Sequence, residues 1–416
     1  MRPLAIGLTG PFGSGCSTSA QIIKDRLGFR SIKLSEPIRK EWRRNNRSDM
    51  PTRSDLQALG NQMRSEASDA GLLARLAMEA QGEMQSEDRI VVDGIRNVGE
   101  IDYLRDRFGT GFYLFALEGS PSERWQRLEH LYAKSASGLE EFKRDDERDR
   151  DEENIYGQQV QLCVDQADVL INNTDLSGIA ALRNSLPGYI DLVTGKQPRY
   201  ANPSEIFMNL AYSAAHGSKC LKRQVGAVLV AAPPGEMGDI VGQGFNENPY
   251  PTKPCVEEPR YGAANGVRGT CYRDIVRNDS FASFVHNAVK CPSCGHPLEN
   301  AADNLPKWKC RMCKQDFEKY FWAERAMTLC TAIHAEVAAL FAAGRRSRGS
   351  TLYTTTLPCF QCTEKIILAG VKYIVFNEPY PDVRAGERLS IAGIEIERFE
   401  GVRSRRFDEI FSRARR

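Results

Sequence analysis

The side chains best fitted to do chemistry sit in two short strings, TAIHAEVAAL and, one apolar strand later, TLPCFQCTEKI. H-x-E followed by P-C-x-x-C supplies an imidazole, two thiols and a carboxylate, a soft metal site with an acid beside it. Neither half is informative alone, since a lone HAE arises by chance and a lone CxxC serves redox pairs and structural zinc alike. Together they predict that His334, Cys359 and Cys362 bind one Zn²⁺. Three protein ligands leave a fourth position for water, which separates catalytic from structural zinc. The ion lowers the pKa of such a water from about 15.7 to about 7. Glu336 is spaced to reach that water and the substrate ring rather than the metal. Its expected role is to take the water proton, deliver it to ring N3 and assist loss of the exocyclic amine. The chemistry implied is hydrolytic deamination of a cytosine-type base.

A second set, Cys291, Cys294, Cys310 and Cys313, has the C-x₂-C, fifteen-residue gap, C-x₂-C spacing of a zinc ribbon, in an insert of about residues 288–316. Four thiolates make a closed, structural site, and the polar filler between them has little else to fold around. Cys220, Cys255, Cys271 and Cys330 remain. Buried free thiols and a further zinc both account for them. Near the other end, GPFGSGCS from Gly10 to Ser17 matches G-x-x-x-x-G-K-[ST] except that Cys16 stands where the Lys belongs. Gly10, Gly13, Ser14, Gly15, Cys16, Ser17 and Thr18 are expected to cradle a nucleotide's phosphates with backbone N–H groups at a helix N-terminus. Losing the Lys harms phosphoryl transfer more than binding.

These residues need elements to position them. LAIGLTG before the Gly-rich loop and TSAQIIKDRL after it read as strand and helix, and RIVVDGI, FYLFAL and ADVLINN read as further strands between helical stretches. The pattern predicts an α/β N-terminal domain, a mostly parallel sheet with helices on both faces. FKRDDERDRDEEN reads as a solvated helix or loop, with a lid over the phosphate site as the alternative. SLPGYIDLVTGKQPRYANP has the Gly and Pro content of a linker, which sets the domains at 1–195 and 196–416. Beyond Pro203, a helix, the strands QVGAVLVAA and DIVGQGF, the helix at HAEVAALFAAG, the strand TLYTTT, the helix CFQCTEKIILAG and the strand YIVFN predict an α/β/α layer.

The 416 residues carry 56 basic and 54 acidic side chains, a net charge of +2 that gives no global attraction to a polyanion. No apolar stretch reaches membrane-spanning length, and MRPLAIGLTG lacks the pattern of a secretion signal. The twelve cysteines are therefore expected in the reducing cytoplasm, where clustering means metal.

From about Tyr200 to Val383 the order FMNLAYSAAHGSKCLKRQVGAVLV, GQGFNENP, IHAEVAAL, TLPCFQC resembles the deoxycytidylate deaminase family of the cytidine deaminase fold. That resemblance implies that Asn246 holds the substrate's sugar. Arg223, beside Lys222 and Lys219, is the candidate for its phosphate and Tyr380 for packing on the base; a turn Asn, a solvated Arg and a core aromatic are the plainer readings. The N-terminal half resembles P-loop nucleoside monophosphate kinases, carried by DGIRNVGE, the charged run, YGQQV and ADVLINN. It implies Asp93 beside a Mg²⁺ and Arg96 on a phosphate. The two halves together resemble the bacterial anti-phage deoxycytidylate deaminases. This implies conversion of dCTP or dCMP to dUTP or dUMP, depletion of dCTP during infection, control by a nucleotide at the P-loop, a small inhibitory RNA as in some relatives, and a homo-oligomer. Cys16 implies that the first domain binds without phosphorylating. A polynucleotide cytosine or adenine deaminase, and a nucleotide-sensing scaffold, are the alternatives.

Overall fold

The structure, a computed structural model, describes residues 3–45, 51–132, 137–150, 152, 154–173, 179–257, 271, 291, 293–294, 296, 298–300, 307–310, 312–318, 330–379 and 383–412. The chain divides into two compact units, Met1–Glu205 with Phe399–Arg416, and Ile206–Arg398.

In the first unit, β-branched and aromatic runs form β1 (Leu4–Thr9), β2 (Arg30–Lys33), β3 (Arg89–Ile95), β4 (Phe112–Glu118) and β5 (Val169–Asn172). Between them lie α1 (Cys16–Leu27), α2 (Ser35–Asn45), α3 (Arg53–Glu66), α4 (Leu72–Glu79), α5 (Val98–Phe108), α6 (Pro121–Leu128), α7 (Gly138–Arg150) and α8 (Val160–Asp165), with α9 (Ala180–Thr194) after β5. The five strands are parallel in the order β5-β4-β1-β3-β2. Ile6 stands opposite Val91 and Tyr113. Successive side chains alternate faces: Ile6, Leu8, Phe115 and Leu117 share a core with Ile23 of α1 and Leu182, Leu186 and Ile190 of α9, whereas α5 and α8 pack on β1 and β4 from the other side.

Two stretches differ from their sequence reading. SLPGYIDLVT, expected as linker, is the body of α9, with Pro187 inside it and Gly195 ending it in left-handed backbone at φ 72°. The buried stripe Leu182, Leu186, Ile190 and Val193 offsets the roughly 3 kcal/mol that an interior Pro costs. Residues 142–150 of the charged run lie in α7 and are not simply solvated: Phe142, Asp146 and Asp149 are buried along one face.

The last described residues also return to this unit. β14 (Gly401–Val402) pairs antiparallel with β5, and α14 (Ser404–Ser412) buries Ile410 in the same core. Residues 399–412, assigned by sequence to the second domain, thus complete the first sheet. Arg403 N–H donates to Asp168 O at 2.8 Å, and Asn172 N–H to the Glu400 carboxylate at 2.9 Å.

The second unit is an α/β/α layer. α10 (Pro203–Ala215) leads into the hairpin β6 (Gly226–Val230) and β7 (Ile240–Phe245); then come α11 (Ala335–Ala343), β11 (Thr351–Thr356), α12 (Phe360–Ala369), β12 (Tyr373–Glu378), α13 (Val383–Ile391) and β13 (Glu395–Arg398). The sheet order is β13-β12-β11-β6-β7; β11 runs antiparallel to β6 and parallel to β12. α11 lies directly on β7 because that strand offers glycines: a Cβ on Gly242 would come within 2.3 Å of Ala339 O. Between β7 and α11, β8 (Leu298–Asn300), β9 (Lys307–Cys310) and β10 (Asp316–Glu318) make a small antiparallel sheet in the order β10-β9-β8.

Candidate active site and metal centres

α11 and α12 each begin on a metal-binding residue type. His334 is the N-cap of α11 and Cys359 the N-cap of α12, both in extended backbone, while Glu336 and Cys362 fall in the first turns. His334 Nδ1 lies 3.2 Å from Cys362 Sγ and 3.4 Å from Cys359 Sγ, and the three donor atoms fall within 4.8 Å of one another. Glu336 Oε2 lies 3.7 Å from Cys362 Sγ. Cys359, Cys362 and Glu336 are all buried. Two helix N-termini meeting here favour anionic ligands.

The ionisable groups press on one another. The hydrogen bond from Cys362 pulls Cys359 down to about 4, and the same contact drives Cys362 far up. His334 is raised by its hydrogen bond to Cys359, and Glu336 is raised by burial. Two thiols and an imidazole within one such group fit Zn²⁺: bonds of about 2.3 Å to sulfur and about 2.0 Å to nitrogen place tetrahedral donors roughly 3.5 Å apart.

A cavity of about 120 Å³ opens onto His334 and Glu336, with Arg223, Asn246, Cys220 and Cys330 in its wall. Asn246 is buried, and its amide is already engaged: Oδ1 accepts from Val225 N–H at 2.8 Å and Nδ2 donates to Arg223 O at 2.9 Å. It clamps the backbone that carries Arg223. The Arg223 guanidinium is half-exposed, 3.9 Å from the Glu378 carboxylate, a partner that the sequence reading missed. Tyr380 lies outside the described residues.

In the small sheet, Cys291 Sγ is 3.5 Å from Cys313 Sγ and Cys294 Sγ 3.4 Å from Cys310 Sγ, and all four sulfurs form one group. Cys291 N–H donates to His296 O at 2.7 Å and Cys310 N–H to Gln315 O at 3.0 Å, closing two knuckles. Four thiolates and no carboxylate suit a closed zinc site. Among the described residues, these are the two groups of three or more metal-donor side chains that gather so closely. Cys220, Cys271 and Cys330 line the cavity wall.

In the first unit the Gly-rich loop runs from β1 into α1. Gly13 and Gly15 sit at φ 84° and 108°, conformations that side chains rarely adopt. Three successive carbonyls are tied: Phe12 O accepts from Arg124 at 3.0 Å, Gly13 O from Arg127 at 3.0 Å and Ser14 O from Asn173 at 2.9 Å. Ser17 Oγ donates to Asp93 Oδ2 at 2.8 Å, an oxygen pair of the kind that holds Mg²⁺. Asp93 is raised by burial, and burial together with Asp93 pushes the Cys16 thiol up to about 12, so Cys16 is neutral. A cavity of about 490 Å³ brings together Gly10, Gly13, Gly15, Cys16, Ser17 and Thr18 with Asp93 and Arg96. Ser14 is fully buried in the loop. Sequence reasoning missed Arg53 and Gln57 of α3, which line the same cavity and bind Asp149 of α7. The i, i+4, i+7 spacing of Phe142, Asp146 and Asp149 was the available signal.

With this geometry, the known relatives can be placed. The family described as cytidine and deoxycytidylate deaminase zinc-binding region matches residues 201–378, and the AAA domain family matches residues 6–156. A UPF0200 protein of Saccharolobus islandicus is 30% identical over 146 residues, covering 35% of this chain and 72% of that protein. Over that span the chain belongs to the UPF0200 family. The deoxycytidylate deaminase of Schizosaccharomyces pombe is 27% identical over 196 residues, covering 46% of this chain and 42% of that enzyme. That of Saccharomyces cerevisiae is 26% identical over 227 residues, covering 53% of each. The chain thus spans about half the length of the deaminases it matches. It joins an AAA, P-loop kinase-like domain to a zinc-binding domain of the deoxycytidylate deaminase type.

Proposed function

We propose that the chain hydrolyses the exocyclic amine of a free deoxycytidine nucleotide, dCMP or dCTP, giving dUMP or dUTP and ammonia. The observation that carries this reading is Glu336, buried in one cavity wall with His334 and Cys359, which gather with Cys362 into one donor set. Those three residues would hold Zn²⁺, which supplies acidification of a water and polarisation of the reacting centre. Glu336 would take one proton from the attacking water and pass it to ring N3, then take the second from the hydroxyl added to the ring carbon and pass it to the amine, which leaves as ammonia while the carbonyl forms; a carboxyl raised by burial suits both directions of transfer. Asn246 would position the 223–225 segment, and Arg223 would meet the substrate's phosphate. Cys291, Cys294, Cys310 and Cys313 would hold a structural Zn²⁺.

The N-terminal cavity would bind a nucleotide, with Mg²⁺ at Ser17 and Asp93, and would govern the deaminase without transferring phosphate, since Cys16 offers no cation. The resemblance to anti-phage deaminases supports depletion of dCTP during infection, a homo-oligomer and an inhibitory RNA as parts of the same reading. One panel tests its core: ammonia release from dCMP, dCTP, CMP and single-stranded DNA, with and without ATP, GTP and dTTP. Release from dCMP or dCTP alone is expected; turnover of the DNA only would replace the free nucleotide with a polynucleotide substrate.

A further inference from the structure

The N-terminal cavity has a cation that its motif does not provide. Arg53, the first residue of α3, holds its guanidinium 3.6 Å from the centre of the Phe12 ring, inside the Gly-rich loop, and lines the same cavity as Gly13, Cys16 and Ser17. Its Nε is buried without a hydrogen-bond partner. Its ion-pair partner is Asp149, which also takes Arg96 at 2.7 Å and Gln57 Nε2. Two guanidinium groups therefore share one carboxylate beside the loop. That carboxylate is 1% exposed, on the buried face of α7.

The cavity wall carries further unmet polar atoms. Gln57 and Gln158 line it at 6% and 3% exposure, and the Oε1 of each is buried without a partner. The orientation of both amides is fixed by carboxylates, which only accept. Gln57 Nε2 faces Asp149; Gln158 Nε2 donates to Asn61 Oδ1 at 3.2 Å, and Asn61 Nδ2 donates to Glu152 at 2.7 Å. Unmet buried acceptors and a half-used guanidinium mark a site shaped for a polar occupant. Cys16, a neutral thiol, brings no charge to the phosphates from the position of the missing Lys.

We propose that Arg53 is the phosphate-neutralising cation of this cavity in place of the missing Lys, and that a nucleoside triphosphate draws Arg53 and Arg96 from Asp149, so that α7 reports whether the site is filled. The proposal rests on the reading that the N-terminal cavity binds a nucleotide. Both guanidinium groups already point at an anion, and a triphosphate carries more negative charge than one carboxylate. Planar forks suit phosphate oxygens, so Arg can replace a P-loop Lys as a binder.

The test uses the full chain, with ATP and Mg²⁺ as the probe. Equilibrium binding should weaken at least tenfold in Arg53→Ala and stay within about threefold in Arg53→Lys. Cys16→Lys placed in the Arg53→Ala background should recover most of the loss. In the unsubstituted protein, saturating ATP should speed hydrogen exchange across residues 138–150. Wild-type affinity in both Arg53 variants, no rescue by Cys16→Lys, or unchanged exchange in α7 would each overturn the proposal. Because Arg53→Ala strips a buried carboxylate of a partner, Arg53→Gln, which keeps a donor toward Asp149 but no charge and should also weaken binding at least tenfold, and the exchange measurement decide the matter if that variant fails to fold. Binding abolished by Ser17→Ala but indifferent to Arg53 would sink this inference alone. Absence of any ATP, GTP or dNTP binding to the N-terminal domain would sink the nucleotide reading beneath it.

Discussion

Glu336 and Asn246 were equally visible as motif residues, yet their surroundings give them different work. Glu336 is a buried carboxyl, and burial is the main cause of its raised proton affinity. Glu336→Gln removes the transferable proton while keeping the shape. Steady-state turnover of the preferred nucleotide should fall about 10²–10⁴-fold, with zinc content by metal analysis unchanged. An equal loss of zinc would instead make Glu336 a ligand. Asn246, which the resemblance implies holds the substrate's sugar, also holds backbone with both ends of its amide, at Arg223 and Val225. In Asn246→Asp a carboxylate oxygen would face the Arg223 carbonyl in place of the amide nitrogen. The segment carrying Arg223 should loosen, raising KM for dCMP more than Asn246→Ala does. A KM unchanged in both variants would remove Asn246 from the substrate side. No local pattern in GFNENP could have foretold this, because the partners lie more than twenty residues back.

At the scale of elements, α7 shows why charge runs mislead. Its composition reads as solvated, but Asp146 and Asp149 meet Arg124, Arg53 and Arg96 from distant parts of the chain. Burial alone would raise Asp149; the Arg96 and Arg53 charges outweigh it and hold the carboxyl below its usual range. The folded pKa is thus lower than the unfolded value of about 3.9. The stabilisation is complete above about pH 3.9 and is lost as pH falls through the folded pKa. Asp149→Asn should destabilise by about 3–5 kcal/mol at pH 7, because it leaves buried guanidinium charge unpaired. In urea titrations the gap from wild type should narrow below about pH 3.9; a constant gap down to pH 2.5 would mean that Asp149 does not titrate with unfolding. The four ribbon cysteines are the opposite case: their spacing alone predicts the sulfurs that gather into one group. Cys310→Ser should lower zinc from two ions per chain to one, leaving the His334 group filled. β1, β3, β4, β5, β11 and β12 were equally readable, since apolar runs bury wherever they lie. α9 was not, because its Pro187 advertises a break that a buried stripe overrides.

For the whole molecule, two domains were foreseeable from length and from the change of motif, but the course of the chain between them was not. A two-residue strand such as β14 has no sequence signature; its place is set by Glu400, Arg403 and Val402 finding partners on β5 and its neighbours. Ending the chain at residue 398 should therefore lower the melting temperature of the N-terminal domain, since it exposes the edge of β5 and leaves Asp168 without the Arg406 guanidinium 3.7 Å away. Calorimetry on the truncated and full chains checks this, and an unchanged N-terminal transition would deny β14 a structural part. The same strand sets an order of events during synthesis. Asn172 and Gly401 are neighbours in one sheet region yet lie 229 positions apart (401 − 172). At roughly 5–20 residues per second, a ribosome needs about 10–45 s to pass from one to the other. For that interval β5 is an open edge, available to other chains and to chaperones. The first sheet thus gains its strand beside β5 only from residues synthesised after the whole of the second unit.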